Sequence, residues 1–344
     1  MIRRPPRSTP SNSSAASDVY KRQALCWSTG LRRFDGSIGA IGIKAGDSLG
    51  ALVEFQTPEE IRRKYPNGVR ELADGGTWGI ISGQPTDDSE MALSLARMLV
   101  ERGTYDPDAA LGAYRDWLNS GPFDCGGTIL GALHGRPNHD SQANGAMMRI
   151  SPLGIFGANY DLKQVSKWAM QDAFLTHPHP VCCQANALFA MAIAYAISTD
   201  PSPWGLYQEI LTWVKDMEVN QSLMSAIQNA ESIPPKSYIQ HQGWVLIAFQ
   251  NALWQLLHAP NLEEGVVDTI MRGGDTDTNA AICGALLGAV YGREAIPPQW
   301  INCLLNCRPK EGKPHVKHPR PKYLWPVDAL ELAKKLITCR APIT

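Results

Sequence analysis

Residues 273–292 read GGDTDTNAAICGALLGAVYG. A diglycine turn opens the stretch, five consecutive polar residues run from Asp275 to Asn279, and a run of small apolar residues carries Gly284, Gly288 and Gly292. A spacing of four is helical, yet each interior glycine costs a helix about 1 kcal/mol relative to alanine. Close approach of a second backbone is the compensation such a ladder offers. The same ladder occurs as Gly42, Gly46 and Gly50 within LRRFDGSIGAIGIKAGDSLGALVEF (Leu31 to Phe55), which reads as a helix, and again as Gly127, Gly131 and Gly135. Lys44, Asp47 and His134, in or beside these segments, argue against membrane helices.

On either side of this stretch the helical period dominates. From Asp87 to Leu99, Met91, Leu95, Met98 and Leu99 share one face, with Thr86 or Asp87 available as N-cap. Further helices are predicted at about Ala185 to Ile197, Trp204 to Val219 and Trp244 to Leu257, and in the closing VDALELAKKLI. Few segments alternate with the two-residue period of strands. The proline-rich stretches ESIPPKSY and GKPHVKHPRPKYLWP lie between helices as loops. The expected fold is all-α, in one domain.

At 344 residues and 44% hydrophobic the chain can bury a large core, so disorder is excluded for its bulk. A net charge of -1 with scattered basic residues excludes the electrostatic footprint of a nucleic-acid binder and favours a small or polar substrate. Eight cysteines without a CxxC pattern point to reduced thiols in a cytoplasm. A zinc site from Cys303, Cys307, His315 and His318 fits the usual spacings poorly. No apolar run reads as long enough to span a bilayer, no secretory signal is legible, and no membrane partner is expected. Met1 to Gln23 resembles translated sequencing-adapter sequence, so residues 1–23 are set aside as a non-native or disordered extension and the domain is assigned to 24–344.

The chemistry concentrates in two acidic turns. GGDTDTN offers alternating carboxylates and hydroxyls, which suit either helix capping or a hard cation such as Mg²⁺. TDDS at Thr86 to Ser89 has the same logic at another helix start. Were Asp87, Asp88, Asp275 and Asp277 to converge, each like-charge pair at about 4 Å would cost roughly 4 kcal/mol at an effective dielectric of 20, a repulsion that cations would relieve.

Five blocks occur in order: GIKAGDSLGALVEF, TDDSEMALSLARML, NGAMMRISPLGIF, THPHP and GGDTDTNAAICGALLGAVYG. Together, from about Phe34 to the C-terminus, they resemble the ADP-ribosylglycohydrolase family, which includes dinitrogenase-reductase-activating glycohydrolases and ADP-ribosylarginine hydrolases. The resemblance implies a compact orthogonal multi-helix bundle with two Mg²⁺ ions, or Mn²⁺, held by Thr86, Asp87, Asp88, Asp275, Asp277 and Thr278. It implies catalytic roles for Glu54, Asp87, Asp88 and Asp277, and a substrate pocket lined by Asn144, Gly145, Arg149 and His177. Met147 and Met148 are read as core. Some members carry a catalytic aspartate just before the NGAMMR block. Here Asp140 lies four residues before Asn144 and Ser141 three, which leaves the general base open.

The implied activity is hydrolysis of the bond between ribose C1 of ADP-ribose and a modified protein side chain, arginine foremost. Serine-linked or small-molecule conjugates are the alternatives. The implied partners are an ADP-ribosylated protein or ADP-ribose itself; a different class of reading is an immunity protein that occludes an ADP-ribosyltransferase toxin.

Overall fold

Glycine spacing decides the centre of the molecule. In the computed structural model, which describes residues 37–339, the two ladders at 42–50 and 284 lie on helices that pack directly against each other. A Cβ added to Gly42 would fall within 3.0 Å of the Gly284 carbonyl, and one added to Gly46 within 3.0 Å of the Ala280 carbonyl. At Gly50 the obstacle is the backbone of Asp277 itself. The predicted extension at 1–23 lies outside the described residues.

Fifteen α-helices are described. They are α1 (Ser37–Gly50), α2 (Pro58–Lys64), α3 (Asp87–Arg102), α4 (Pro107–Asn119), α5 (Gly127–Leu133), α6 (Ser151–Gly157), α7 (Leu162–Phe174) and α8 (Pro180–Thr199). There follow α9 (Pro203–Asp216), α10 (Gln221–Asn229), α11 (Val245–His258), α12 (Leu262–Met271), α13 (Thr276–Tyr291), α14 (Pro298–Asn306) and α15 (Ala329–Thr338). A 3₁₀ turn spans Asn144–Arg149. Among the described residues no strand forms, and two isolated bridges, Gly75 with Ile80 and Ala143 with Trp244, are the only β pairings. The fold is an all-α multi-helix bundle.

Helix α1 is buried along all its described side chains and α13 from Thr276 to Gly288, so both run through the core and their polar residues, Lys44, Asp47, Asp277 and Thr278 among them, are buried with them. Three expectations need correcting. The predicted helix to Phe55 stops at Gly50, and residues 51–55 form turns. The ladder at Gly127, Gly131 and Gly135 packs against no helix: Gly127 and Gly135 have open space where a Cβ would go, and Gly135 closes the short α5 with φ +77°. Helix α8 does reach spanning length, 20 residues with mean hydropathy 1.6, although 78% of its apolar window is buried among the other helices.

Candidate metal and substrate cleft

Several helix starts with a polar first residue carry their own caps, as Thr57, Asp106, Asn220 and Asn261 do by accepting backbone N–H groups of the following turn. The two acidic turns depart from that habit. Thr86, before α3, makes no side-chain cap, and neither does Asp275 before α13. At α3 the cap comes from another helix. The buried Asp47 of α1 accepts the N–H of Thr86 at 3.1 and 3.2 Å, the N–H of Ser89 at 3.1 Å and the Thr86 hydroxyl at 2.8 Å. Asp87 and Asp88 are thereby released from local capping.

Asp88 joins the two turns. Its Oδ2 lies 3.2 Å from the Thr86 hydroxyl of the first and 3.4 Å from the Thr278 hydroxyl of the second. The single Thr86 proton serves either Asp47 or Asp88 at a given moment, and when it serves Asp47, Asp88 Oδ2 rests on the longer bond from Thr278 alone. Asp88 Oδ1 is buried with no hydrogen-bond partner. An orphaned buried oxygen of this kind is costly and is what a hard cation relieves.

Glu54, Asp275 and Asp277 each bring a carboxylate oxygen into one group whose members lie within 4.8 Å of one another, the only such His, Cys, Asp or Glu group among the described residues. Two backbone bonds hold the segments together: Phe55 N–H donates to the Gly274 carbonyl at 2.8 Å and Gly274 N–H to the Gln56 carbonyl at 3.1 Å. Phe55 adopts φ +63° to make this turn, and the diglycine supplies two more left-handed positions, Gly273 at +75° and Gly274 at +77°. Glu54 is 5% exposed, so it is no solvated helix-end acid. Its Oε2 accepts the Trp78 indole N–H at 2.6 Å. Burial, with Asp124 and Asp275 nearby, pushes its carboxyl up to about 8.

Crowding acts on every acid here. Burial raises Asp87 and Asp88 well above the ordinary carboxylate range, with Asp124 and Asp47 adding to the first and Asp87 and Asp47 to the second. Burial raises Asp277 likewise, followed by Glu54, Asp88 and Asp275. These residues supply hard oxygens and too little positive charge, so the acidic cluster could hold a metal ion. The zinc alternative gathers no such group: Cys303 Sγ accepts from Gln299 Nε2 at 3.3 Å, and His318 Nε2 bonds the Trp78 carbonyl at 2.8 Å.

Sequence reasoning missed two acids. Asp47, the cap supplied from α1, stood inside GDSLG among the ladder glycines, and a charge facing the packed side of a glycine helix was the available signal. Asp124, in GPFDCGG, is partly buried and pushed up to about 7 by burial, then by Asp47 and Asp275. No local pattern marked it.

Of the expected substrate residues, Asn144 faces the cleft. Its Nδ2 donates to Asp275 Oδ2 at 2.8 Å. Gly145 lies against His177, where a Cβ would come within 3.2 Å of the ring. His177 is fully buried, and burial lowers its pKa to about 3, so the ring is neutral. Arg149 donates to the Thr176 hydroxyl, which can then give its own proton to His177 Nδ1 at 2.8 Å. That leaves the His177 proton on Nε2, a donor with no partner, beside Gly145.

Arg149 does not reach the cleft. It is fully buried, bonds Asp172 Oδ1 at 3.2 Å and the Gly145 carbonyl at 2.9 Å, and lies over the Tyr114 ring. Expected to line the substrate pocket, Arg149 instead forms a structural ion pair under the NGAMMR turn. Arg149→Met leaves Asp172 buried without its counter-charge, and a loss of about 3–5 kcal/mol in urea unfolding is expected.

Beside the acids opens a cavity of about 920 Å³ lined by Asp140, Gln142, His241, Gly243 and Trp244 among others. A Cβ at Gly243 would stand 3.5 Å from Asp275 Oδ2, so the Gly243 wall of the cavity adjoins the acidic cluster. Trp244 is 37% exposed, and its N–H is held by Gln142 Oε1 at 3.0 Å. Asp140 is exposed on this wall, while the Ser141 hydroxyl is engaged with Thr128 at 2.9 Å.

A family model described as ADP-ribosylglycohydrolase matches residues 31–336. The chain is 30% identical to ADP-ribosyl-dinitrogen reductase glycohydrolase of Rhodospirillum rubrum, over 80% of this chain and 92% of that one. It is 28% identical to a putative ADP-ribosyl glycohydrolase of Acanthamoeba polyphaga mimivirus, covering 83% and 94%, and 26% identical to the ADP-ribosylarginine hydrolase Tri1 of Pseudomonas putida, covering 83% and 79%. A solved structure titled ADP-ribosylglycohydrolase-related protein complex superposes with a TM-score of 0.73 at 25% identity, over 90% of this chain and 99% of that one.

Proposed function

This chain belongs to the ADP-ribosylglycohydrolase family, and from that membership we propose that it removes ADP-ribose from modified arginine side chains of proteins, using two Mg²⁺ ions. The observation that carries the reading is Asp88, whose one oxygen spans the hydroxyls of both acidic turns while the other is buried without a partner. Thr86, Asp87, Asp88, Asp275, Asp277 and Thr278 would hold the ions. Bound there, the ions would supply positive charge for ribose hydroxyls and for acidifying a water.

The chain's own residues account for the rest. In the hydrolysis, the bond from ribose C1 to the guanidine nitrogen breaks with its electron pair going to nitrogen, and water oxygen bonds C1. One water proton passes to a carboxylate, and the leaving guanidine takes up a proton. Glu54, held at one oxygen and within 4.8 Å of Asp275 and Asp277, is our candidate for the proton-accepting carboxylate, its ionised form favoured by the positive charge that bound ions would supply. Asn144 fixes Asp275, and the His177 Nε2–H offers a neutral donor beneath Gly145. The adjoining cavity has room for the nucleotide, with the Trp244 ring as a flat surface for its base. The arginine linkage draws support from the relative named ADP-ribosylarginine hydrolase. Seven described cysteines are all free, which suits the reducing cytoplasm where we place the protein.

Incubation with arginine-linked and serine-linked ADP-ribosyl proteins, with Mg²⁺ and then with EDTA, tests this. Release of ADP-ribose from the arginine conjugate, at least about 100-fold slower in EDTA, is the expected outcome. Cleavage of the serine conjugate alone would move the specificity, and release from neither would end the glycohydrolase reading.

A further inference from the structure

The Glu54 carboxylate is gripped from outside the acidic turns. Trp78 lies in the loop between α2 and α3, and its indole N–H reaches Glu54 Oε2 at 2.6 Å. The preceding residue holds the same segment by its backbone: the Thr77 hydroxyl donates to the Glu54 carbonyl at 2.9 Å and Thr77 N–H to the Ala51 carbonyl at 3.1 Å. An indole N–H donates and never accepts. It therefore cannot exchange a proton with Glu54; it can only fix one oxygen and stop rotation of the carboxyl.

Trp78 is itself set by the C-terminal loop. Its carbonyl accepts from His318 Nε2 at 2.8 Å, which fixes the proton of that ring on Nε2. The His318 carbonyl accepts from Gln84 Nε2 at 2.7 Å, and the ring stacks on Phe123 with centroids 4.5 Å apart. Phe123 also meets the Trp78 ring, with centroids 6.0 Å apart, and precedes Asp124. Three segments far apart in sequence, at Glu54, Phe123 and His318, thus meet at Trp78, the first two at its indole and the third at its backbone, more support than packing a half-buried side chain on a loop requires.

We propose that Trp78 is a positioning residue for Glu54, its indole N–H holding the carboxylate in the orientation from which it serves the acidic cleft; this rests on the hydrolase reading above. Removing the N–H while keeping an aromatic ring should free the carboxyl to rotate. A misplacement of about 1 Å can cost on the order of 100-fold in rate.

The test is a mutant cycle with Trp78→Phe, Glu54→Gln and the double variant, on the ADP-ribosyl conjugate that the wild type cleaves. Trp78→Phe should lower kcat by about 10- to 100-fold with KM changed less than about 2-fold. In the Glu54→Gln background the same change should alter the residual kcat by less than about 2-fold, because its target is gone. An equal loss in both backgrounds, or an undiminished kcat in Trp78→Phe, would overturn the proposal. An independent arm reads the contact without turnover: the Trp78 indole N–H resonance should lie downfield and move upfield in Glu54→Gln. An indole signal unmoved by that change overturns the proposal too. If the wild type cleaves no conjugate, the hydrolase reading falls and this resonance alone judges the contact.

Discussion

Gly46→Val is expected to destabilise the protein by more than about 3 kcal/mol, beyond the 1–3 kcal/mol usual for overpacking a core. Its added carbons would meet the carbonyl group of Ala280 and the nitrogen of Ala281 within 3.0 Å. A flexible side chain could turn aside, but main chain of α13 cannot move without carrying Asp277 and Thr278 with it. The damage should therefore reach the cleft, and whatever protein remains folded should lose its thermal response to Mg²⁺. Gly112→Ala supplies the contrast. Gly112 is interior to α4 with open space where the Cβ would go, so the same kind of substitution should stabilise by about 0.4–1 kcal/mol. Urea unfolding of the two variants with and without Mg²⁺ measures both signs, and a Gly46→Val protein as stable as wild type would show that α1 and α13 do not meet through this face.

That contrast also marks where sequence stops being informative. A four-residue glycine period occurs three times in this chain, and period alone cannot say which occurrences face another backbone. Gly42, Gly46 and Gly50 do; Gly127 and Gly135 do not. The acidic turns were legible because five polar side chains in a row exceed what one cap can use, and the family resemblance brought them together. Arg149 was placed in the substrate pocket for the converse reason: whether an arginine faces a ligand or a buried aspartate depends on Asp172, 23 residues away on another helix. Asp47 was legible only as a charge on a glycine helix, since capping a helix other than its own is a tertiary fact. Trp78 carried no signal at all, because its partners Glu54 and His318 lie 24 and 240 residues from it.

Asp88→Asn should separate stability from activity. In wild type without a divalent ion, burial and then Asp87 and Asp47 raise the Asp88 carboxyl well above its unfolded value of 3.8. A raised folded pKa means that the folded state binds the extra proton. Its stabilising effect is full below about pH 4 and is lost as pH rises through the folded value, so wild type in EDTA should weaken from acid toward pH 8. The neutral amide removes that loss, and Asp88→Asn in EDTA should be at least as stable as wild type at pH 8. Mg²⁺ should reverse the order. At 100 times its dissociation constant, a cation bound only by the folded state adds about 2.7 kcal/mol to wild type, while the variant, missing the carboxylate shared by the two turns, should gain little. Release of ADP-ribose should fall at least about 100-fold in the variant. Thermal melts from pH 5 to 8, in EDTA and in Mg²⁺, decide the matter: a variant less stable than wild type in EDTA at pH 8, yet equally stabilised by Mg²⁺, would place Asp88 among the structural hydrogen bonds and outside the ion site.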